Sequence, residues 1–440
     1  MLTRRGGSGR GADMPFLVAV ALCTFFGCAV AGFDRDASRA LIAVSHGAVA
    51  LAAIALPRTR TAVFDVFKRF AIPTGIYVAL LVQAAIMSGA FYFGASETPY
   101  RAEQAMVSLV GVGFFFAAVA GSATAVGRNR MLAALLWTPL VLAVLTLLDR
   151  FDGRGDFFGM TVLTSDNRVA ASFASPNEAA TAFALFAVFA AFACVDELTR
   201  RPAQGAGPLP ALARRLSLPT ASFIASFNLV VLSGSRAGIA AAVAGLAAFF
   251  FVAWLRGRKS RAGPRLIPIV AGVVGALALV VAVTSGATAL RRYGAISEAR
   301  QSLETMGATA LKAWREKPIF GHGLGSYDLL PEGAGGAPLD ALRWLAEAGI
   351  VGAALIAATL GFFVWQLWRA DDHGRRPSRG FSLAAGLLAT ALVHGAATPA
   401  LSSPAVAGVL AAVLGMAAAY IDPLEAAMKV KATARTRVLG

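Results

Sequence analysis

The chain reads as an all-α integral membrane protein of about twelve transmembrane helices, with both termini cytoplasmic and one long outer loop between helices nine and ten. Three observations carry that reading. The 440 residues are 57% hydrophobic and only 15% charged, with mean hydropathy +0.67; soluble domains run at about 45–50% apolar and about 25% charged. Apolar runs close to the ~20 residues that cross a bilayer recur along the whole length. Basic residues gather in alternate segments between those runs. This composition excludes a disordered chain, a nucleic-acid binder built on a polar domain and most soluble enzymes. It makes the lipid bilayer the first partner. The chain is read as a single polytopic domain, 1–440, with no clear internal repeat.

The expected spans are 15–33, 39–56, 70–93, 104–126, 131–148, 173–194, 218–233, 237–255, 266–285, 342–367, 381–397 and 405–421. Several are short, and flanking residues or local thinning supply the missing length. The first follows Arg4, Arg5 and Arg10 and ends in Ala29-Val30-Ala31, which resembles a secretory signal with its cleavage site. Its length and the many spans behind it favour an uncleaved first helix.

With the N-terminus inside, every cytoplasmic segment is basic. Examples are Arg58, Arg60, Lys68 and Arg69 after span two, and Arg256, Arg258, Lys259, Arg261 and Arg265 after span eight. The net charge of +16 is therefore mostly topology. The 45 glycines suit close helix packing. Cys23, Cys28 and Cys194 sit inside apolar runs, as small buried hydrophobes do. The four histidines, His46, His322, His373 and His394, are scattered, so neither a metal site nor another cofactor is expected.

Four features at the outer ends of the spans carry the unusual chemistry. In segment 149–172 and the start of span six, Arg168 precedes Ser175-Pro176-Asn177-Glu178. Ser175 with Glu178 fits a capping box, with Pro176 at the first helical position; Asn177 is placed to donate to a phosphate or a sugar. Between spans seven and eight lies Ser233-Gly234-Ser235-Arg236-Ala237-Gly238. Arg236 is either an interfacial anchor or an anion ligand, and its small neighbours favour the ligand. The long loop 286–341 carries Arg291, Arg292 and Arg300, a helical pattern over 295–317, and then Pro318 to Tyr327 with alternating glycines. That glycine run suggests a tight turn or a nest of free amides for an anion. Last, Arg343 and Glu347 at the entry to span ten are spaced to pair on one helix face.

In this order the motifs resemble the bacterial O-antigen ligase and polymerase superfamily. Ser175-Pro176-Asn177 is similar to the family's Pro-Asn pattern. Ser235-Arg236-Ala237-Gly238 is similar to its Ser-Arg-Gly/Ala signature. Pro318 to Gly325 matches Pro-x-x-Gly-x-Gly-x-Gly, and Leu345 to Gly352 matches Leu-x-Glu-x-Gly-x-x-Gly. The resemblance covers 165–367. It implies a multi-pass protein of the bacterial cytoplasmic (inner) membrane with a periplasmic active face. It also implies transfer of a glycan from an undecaprenyl-diphosphate-linked donor to a sugar hydroxyl, on lipid A–core for a ligase or on another repeat unit for a polymerase. Such a reaction needs positive charge at the leaving diphosphate. The outer segments lack clustered acids for a metal but offer Arg168, Arg236, Arg291, Arg292 and Arg300.

The chain departs from the family at the expected base. Where the ligases carry a His-Asn pair, it has Pro338 and Leu339. The family's loop arginine is displaced to Arg300. Three readings of the base follow: His322 in the glycine loop, Asp328 or Asp340 in a partly dry site, or a divergent member such as a polymerase of another polysaccharide. His394 and His46 read as packing residues. Two other classes compete with a transferase. Twelve spans also suit a transporter or flippase of lipid-linked sugars, although the polar residues concentrate on the outer side rather than at mid-bilayer. A catalytically silent scaffold of the same family is the other.

Overall fold

The computed structural model describes residues 14–31, 35–87, 98–122, 124–152, 156–157, 160–161, 168–199, 208–257, 272, 275, 307–323, 326–327, 339–369, 379–398, 401 and 403–421. The described residues are almost wholly helical. The helices are α1 (Met14–Val30), α2 (Arg35–Ala55), α3 (Pro57–Arg69), α4 (Ala71–Met87), α5 (Thr98–Gly121), α6 (Ala125–Asp152), α7 (Pro176–Thr199), α8 (Pro208–Leu232), α9 (Arg236–Gly257), α10 (307–316), α11 (Asp340–Arg369), α12 (Arg379–Gly395) and α13 (Pro404–Ile421). A two-residue hairpin, Asp156–Phe157 against Met160–Thr161, is the one sheet among the described residues.

Among the described residues, five helices are long and apolar enough to cross a membrane, those over Val126–Asp149, Pro176–Thr199, Leu212–Leu232, Arg236–Leu255 and Asp340–Trp368, or six if the bent pair Ala40–Ala55 and Thr59–Arg69 is one span. This makes the chain a helical membrane protein by length and composition. The other expected spans coincide with the remaining helices, most of them shorter and apolar, except 266–285, which lies outside the described residues apart from Gly272 and Gly275. The helical pattern expected over 295–317 appears as α10 within its described part.

One element was not expected. α3 turns away from α2 by 100°. Pro57 opens it and Lys68 and Arg69 close it, the terminal chemistry that suits a short helix. Val63 and Val66 are buried while Phe64 and Phe67 stay exposed. Four basic residues within thirteen positions hide such a helix from a search for apolar runs.

α7 sits at the centre. Its Ala/Phe sequence is apolar on every face, and a helix apolar all round belongs inside a bundle. Of its apolar window, 89% is buried, against α8, α9, α12 and α13. Small residues set the spacing around it. A Cβ at Gly238 would lie 2.4 Å from Ala180 Cβ, and one at Gly245 would lie 1.9 Å from Thr390 Oγ1 and 2.9 Å from the Gly386 carbonyl. Between membrane helices this close approach, rather than expulsion of water, supplies the attraction.

One end of the bundle is fastened by charge. Buried Asp196 at the end of α7 pairs with Arg379 at the start of α12 and accepts a hydrogen bond from Tyr420 of α13 at 3.4 Å. Arg128 of α6 lies 5.6 Å above the Tyr420 ring, and Arg215 of α8 pairs with Glu197 at 2.8 Å. Helix ends and helix starts meet here, so neighbouring helices run in opposite directions. The motifs of interest lie at the other end.

Gly245→Leu is expected to destabilise the bundle by about 1–3 kcal/mol through overpacking, read as a lower Tm in detergent. An unchanged Tm would contradict the α9–α12 contact.

Candidate active site

The site is organised by a break in α11. At Gly349 the backbone takes φ 67°, ψ −167°, a region open essentially to glycine alone. A regular helix would bond the Ile350 and Val351 amides to the carbonyls of Ala346 and Glu347. They donate instead to Pro318 and Ile319, at 2.9 and 3.1 Å. The two freed carbonyls accept from His322 at 3.0 Å and Gly323 at 2.8 Å. The glycine loop is thus spliced into the helix, taking up both amides and both carbonyls of the two bonds lost at the break.

Only glycine fits at both contact points. A Cβ at Gly321 (φ 70°) would lie 2.4 Å from the Glu347 carbonyl carbon and oxygen, and one at Gly349 would lie 2.3 Å from the Ile319 oxygen. Gln83 of α4 fastens the joint from outside, donating its amide to Phe320 and Ala348 carbonyls at 2.9 and 3.3 Å. Of the two readings of this loop, a tight turn or an anion nest, the described amides follow the turn. The amides of Gly321, His322, Gly323 and Ser326 are donated to carbonyls, and that of Tyr327 goes to a carboxylate already present, Glu347 Oε1 at 3.3 Å.

That carboxylate also receives Arg343 Nε at 3.1 Å, the i, i+4 pair expected from spacing. Both side chains are almost fully buried, at 1% and 3% exposure. Such a pair is held because losing one partner strands a charge, at a cost of about 3–5 kcal/mol. Tyr327, Ala310, Ala313 and Ala346 pack around it, so α10 rests on the first turns of α11. His322 belongs to this packing. Its Nε2 lies 2.9 Å from the Ala313 carbonyl and so carries the proton it donates, and Glu316 stands 4.0 Å away. The ring ties the loop to α10 and does not line the cleft described below.

Asp340, at the start of α11, is 1% exposed. Its Oδ2 accepts the Leu401 amide at 2.9 Å. Leu401 thus touches α11, and Ser403, two residues on, touches the second cluster, at the start of α7. There Ser403 donates to Glu178 at 2.8 Å. Ser175 Oγ accepts the Glu178 amide at 3.2 Å, which is half of the expected capping box; the Glu178 carboxylate serves Ser403. Arg168 donates through Nε to the Ser233 carbonyl at 2.8 Å and through Nη2 to Asn177 Oδ1 at 2.9 Å. Gly234 (φ 61°) packs on the same side chain. The Pro-Asn and Ser-Arg motifs, 56 residues apart from Asn177 to Ser233, are therefore one structure. Arg236 opens α9 beside it, half-buried, and no described residue pairs with its guanidinium. His394 is 0% exposed and bonded to Thr181 and Thr398 at 3.0 and 2.7 Å, as a packing residue should be. His46, bonded to the Ile42 carbonyl at 2.9 Å, is another.

Below Asp340 an apolar cleft of about 570 Å³ runs between α4, α5, α11, α12 and α13. Its mouth holds Asp340, Arg343 and Glu347; its walls are mainly leucine, alanine and phenylalanine. α11 borders it because this helix packs on α4 and barely touches the others.

No family model and no curated protein matches the chain. Among the described residues no three His, Cys, Asp or Glu side chains gather as a metal site would require. Of the candidate residues, the structure places Asp340 at the cleft and joins Arg168 to Asn177 and to the Ser233 carbonyl, three residues before Arg236, at the same end. Asp328, Arg291, Arg292 and Arg300 lie outside the described residues. Sequence reasoning missed Gln83, which ties the loop to α11, and treated Arg343 only as a partner for Glu347. A lone amide in the apolar run 70–93 was the available signal for Gln83.

Gly349→Ala is expected to undo the splice, costing about 1–3 kcal/mol in backbone strain alone, read as faster proteolysis between Pro318 and Tyr327. Arg343→Ala is expected to lower Tm strongly, and the double variant Arg343→Met/Glu347→Gln to recover most of that loss. Equal Tm for the single and double variants would argue against a buried charge pair.

Proposed function

We propose that the protein is a membrane glycan transferase that moves a glycan from a polyprenyl-diphosphate donor to a sugar hydroxyl. The observation that carries this reading is the apolar cleft of about 570 Å³ with Asp340, Arg343 and Glu347 at its mouth. An amphiphile with a long hydrocarbon tail and a reactive polar head needs such a shape. The motifs resembling the O-antigen ligase and polymerase superfamily add support, because they meet in pairs around that end of the bundle.

In this reading the tail lies in the cleft and the anomeric carbon stands at its mouth. The acceptor oxygen attacks that carbon, the bond to the diphosphate breaks, and polyprenyl diphosphate leaves. Asp340, buried and held by the Leu401 amide, takes the hydroxyl proton. General base catalysis of this kind contributes about 10²–10⁴-fold. Arg236, unpaired by described residues and next to the Arg168–Asn177 cluster, is the ligand for the charge on the leaving diphosphate. The glycan donor, the lipid A–core or glycan acceptor and a periplasmic active face in the inner membrane belong to this proposal. A ligase is the leading form and a polymerase of the same superfamily the alternative. A flippase fits less well, since the cleft walls below the mouth are mainly apolar and offer a sugar few partners.

Asp340→Asn keeps the acceptor for Leu401 and removes the base, so transfer from a lipid-diphosphate donor by purified protein is expected to fall by about 10²-fold or more. Arg236→Ala is expected to fall by a comparable factor. Transfer by both variants at the parental rate would sink the mechanism. A gel of lipopolysaccharide from a deletion strain separates the forms: unattached glycan of normal length marks a ligase, single capped repeats a polymerase.

A further inference from the structure

The cleft has a floor as well as a mouth. At the end far from Asp340, Phe70, Phe115 and Phe363 form a triangle of rings with centroids 5.4–5.9 Å apart. They come from the α3–α4 junction, α5 and α11, and all three line the cleft. Phe67 of α3 packs with a tilted ring against the neighbouring Phe116 at 5.7 Å, so the unexpected helix α3 backs the floor.

Two helices give the depth. The lining runs from Phe70 at the α3–α4 junction to Leu81 of α4, eleven residues, and from Ala348 to Phe363 of α11, fifteen. At a rise of 1.5 Å per residue these measure about 17 and about 23 Å, a mean depth of about 20 Å. One leaflet of a bilayer core about 30 Å thick offers about 15 Å. The cleft is therefore deeper than one leaflet of the core is thick. Three backbone bonds of an extended peptide span at most about 3.3–3.6 Å, so the four bonds of an isoprene unit span about 4.5 Å. The cleft accommodates four to five such units.

We propose that the site reads the length of a polyisoprenoid tail, with the Phe70–Phe115–Phe363 triangle as the stop that limits contact to the first four to five isoprene units. This rests on the donor reading above and extends it to specificity. Shorter tails leave the lower cleft unfilled and lose its contacts. Longer tails gain nothing inside and pass out to the bilayer beside α11.

The test is binding of polyprenyl diphosphates of three, seven and eleven isoprene units to the full-length protein in nanodiscs, by native mass spectrometry, without sugar or acceptor. The seven-unit lipid is expected to bind about tenfold or more tighter than the three-unit lipid, and the eleven-unit lipid to match the seven. In Phe363→Ala, with Phe363→Leu as the milder change, the gain is expected to continue from seven to eleven units. Equal affinity for three and seven units would overturn the proposal while leaving the donor reading intact. So would an unaltered length profile in both folded variants, or a diacyl phosphatidic acid that competes as well as the seven-unit lipid. Binding of none of the diphosphates would overturn the donor reading with it.

Discussion

Everything at this end of the molecule hangs on four backbone hydrogen bonds. A helix in an apolar environment cannot leave amides and carbonyls without partners, because water is not there to take them. α11 nevertheless breaks at Gly349. It does so by accepting a second chain segment into its own ladder: Pro318 and Ile319 supply carbonyls, His322 and Gly323 supply amides. The break frees the first turns of α11 to point Asp340, Arg343 and Glu347 toward the cleft, and the loop carries Tyr327 to the Glu347 carboxylate. Gly321 and Gly349 are the two positions where a side chain would collide with the opposing backbone.

The same constraint explains why two separately legible motifs are one object. Alternating glycines after Pro318 and glycines at 349 and 352 were visible in the chain, as was the Arg343–Glu347 spacing. What periodicity does not encode is that the glycines of one motif exist to approach the other. The described loop amides go to other partners than an anion: His322 and Gly323 to carbonyls of the broken helix, Gly321 and Ser326 to carbonyls of the loop's own segment, Tyr327 to Glu347. The Arg168–Asn177–Ser233 contact is a parallel case, a long-range hydrogen bond between helix starts that sequence order alone does not reveal.

The membrane character was legible because it depends on composition summed over long windows, where a few misplaced residues change little. Helix α3 escaped because Arg58, Arg60, Lys68 and Arg69 outweigh its apolar face in any such sum. Base candidates were harder. His322, Asp328 and Asp340 share one loop in the chain, and only packing distinguishes them. His322 spends a ring nitrogen on the Ala313 carbonyl, whereas Asp340 is carried to the cleft by its position at the first turn of α11.

α11 also differs from α7 in what surrounds it. Only 17% of its apolar window is buried within the protein, against 89% for α7. One wall of the cleft is thus a helix with lipid on its other side. A ligand that enters past it arrives by diffusion in two dimensions. Its effective concentration is a mole fraction of the bilayer, indifferent to the volume of water outside. Occupancy of such a site would follow the lipid composition of the membrane, and diluting the aqueous compartment would leave it unchanged.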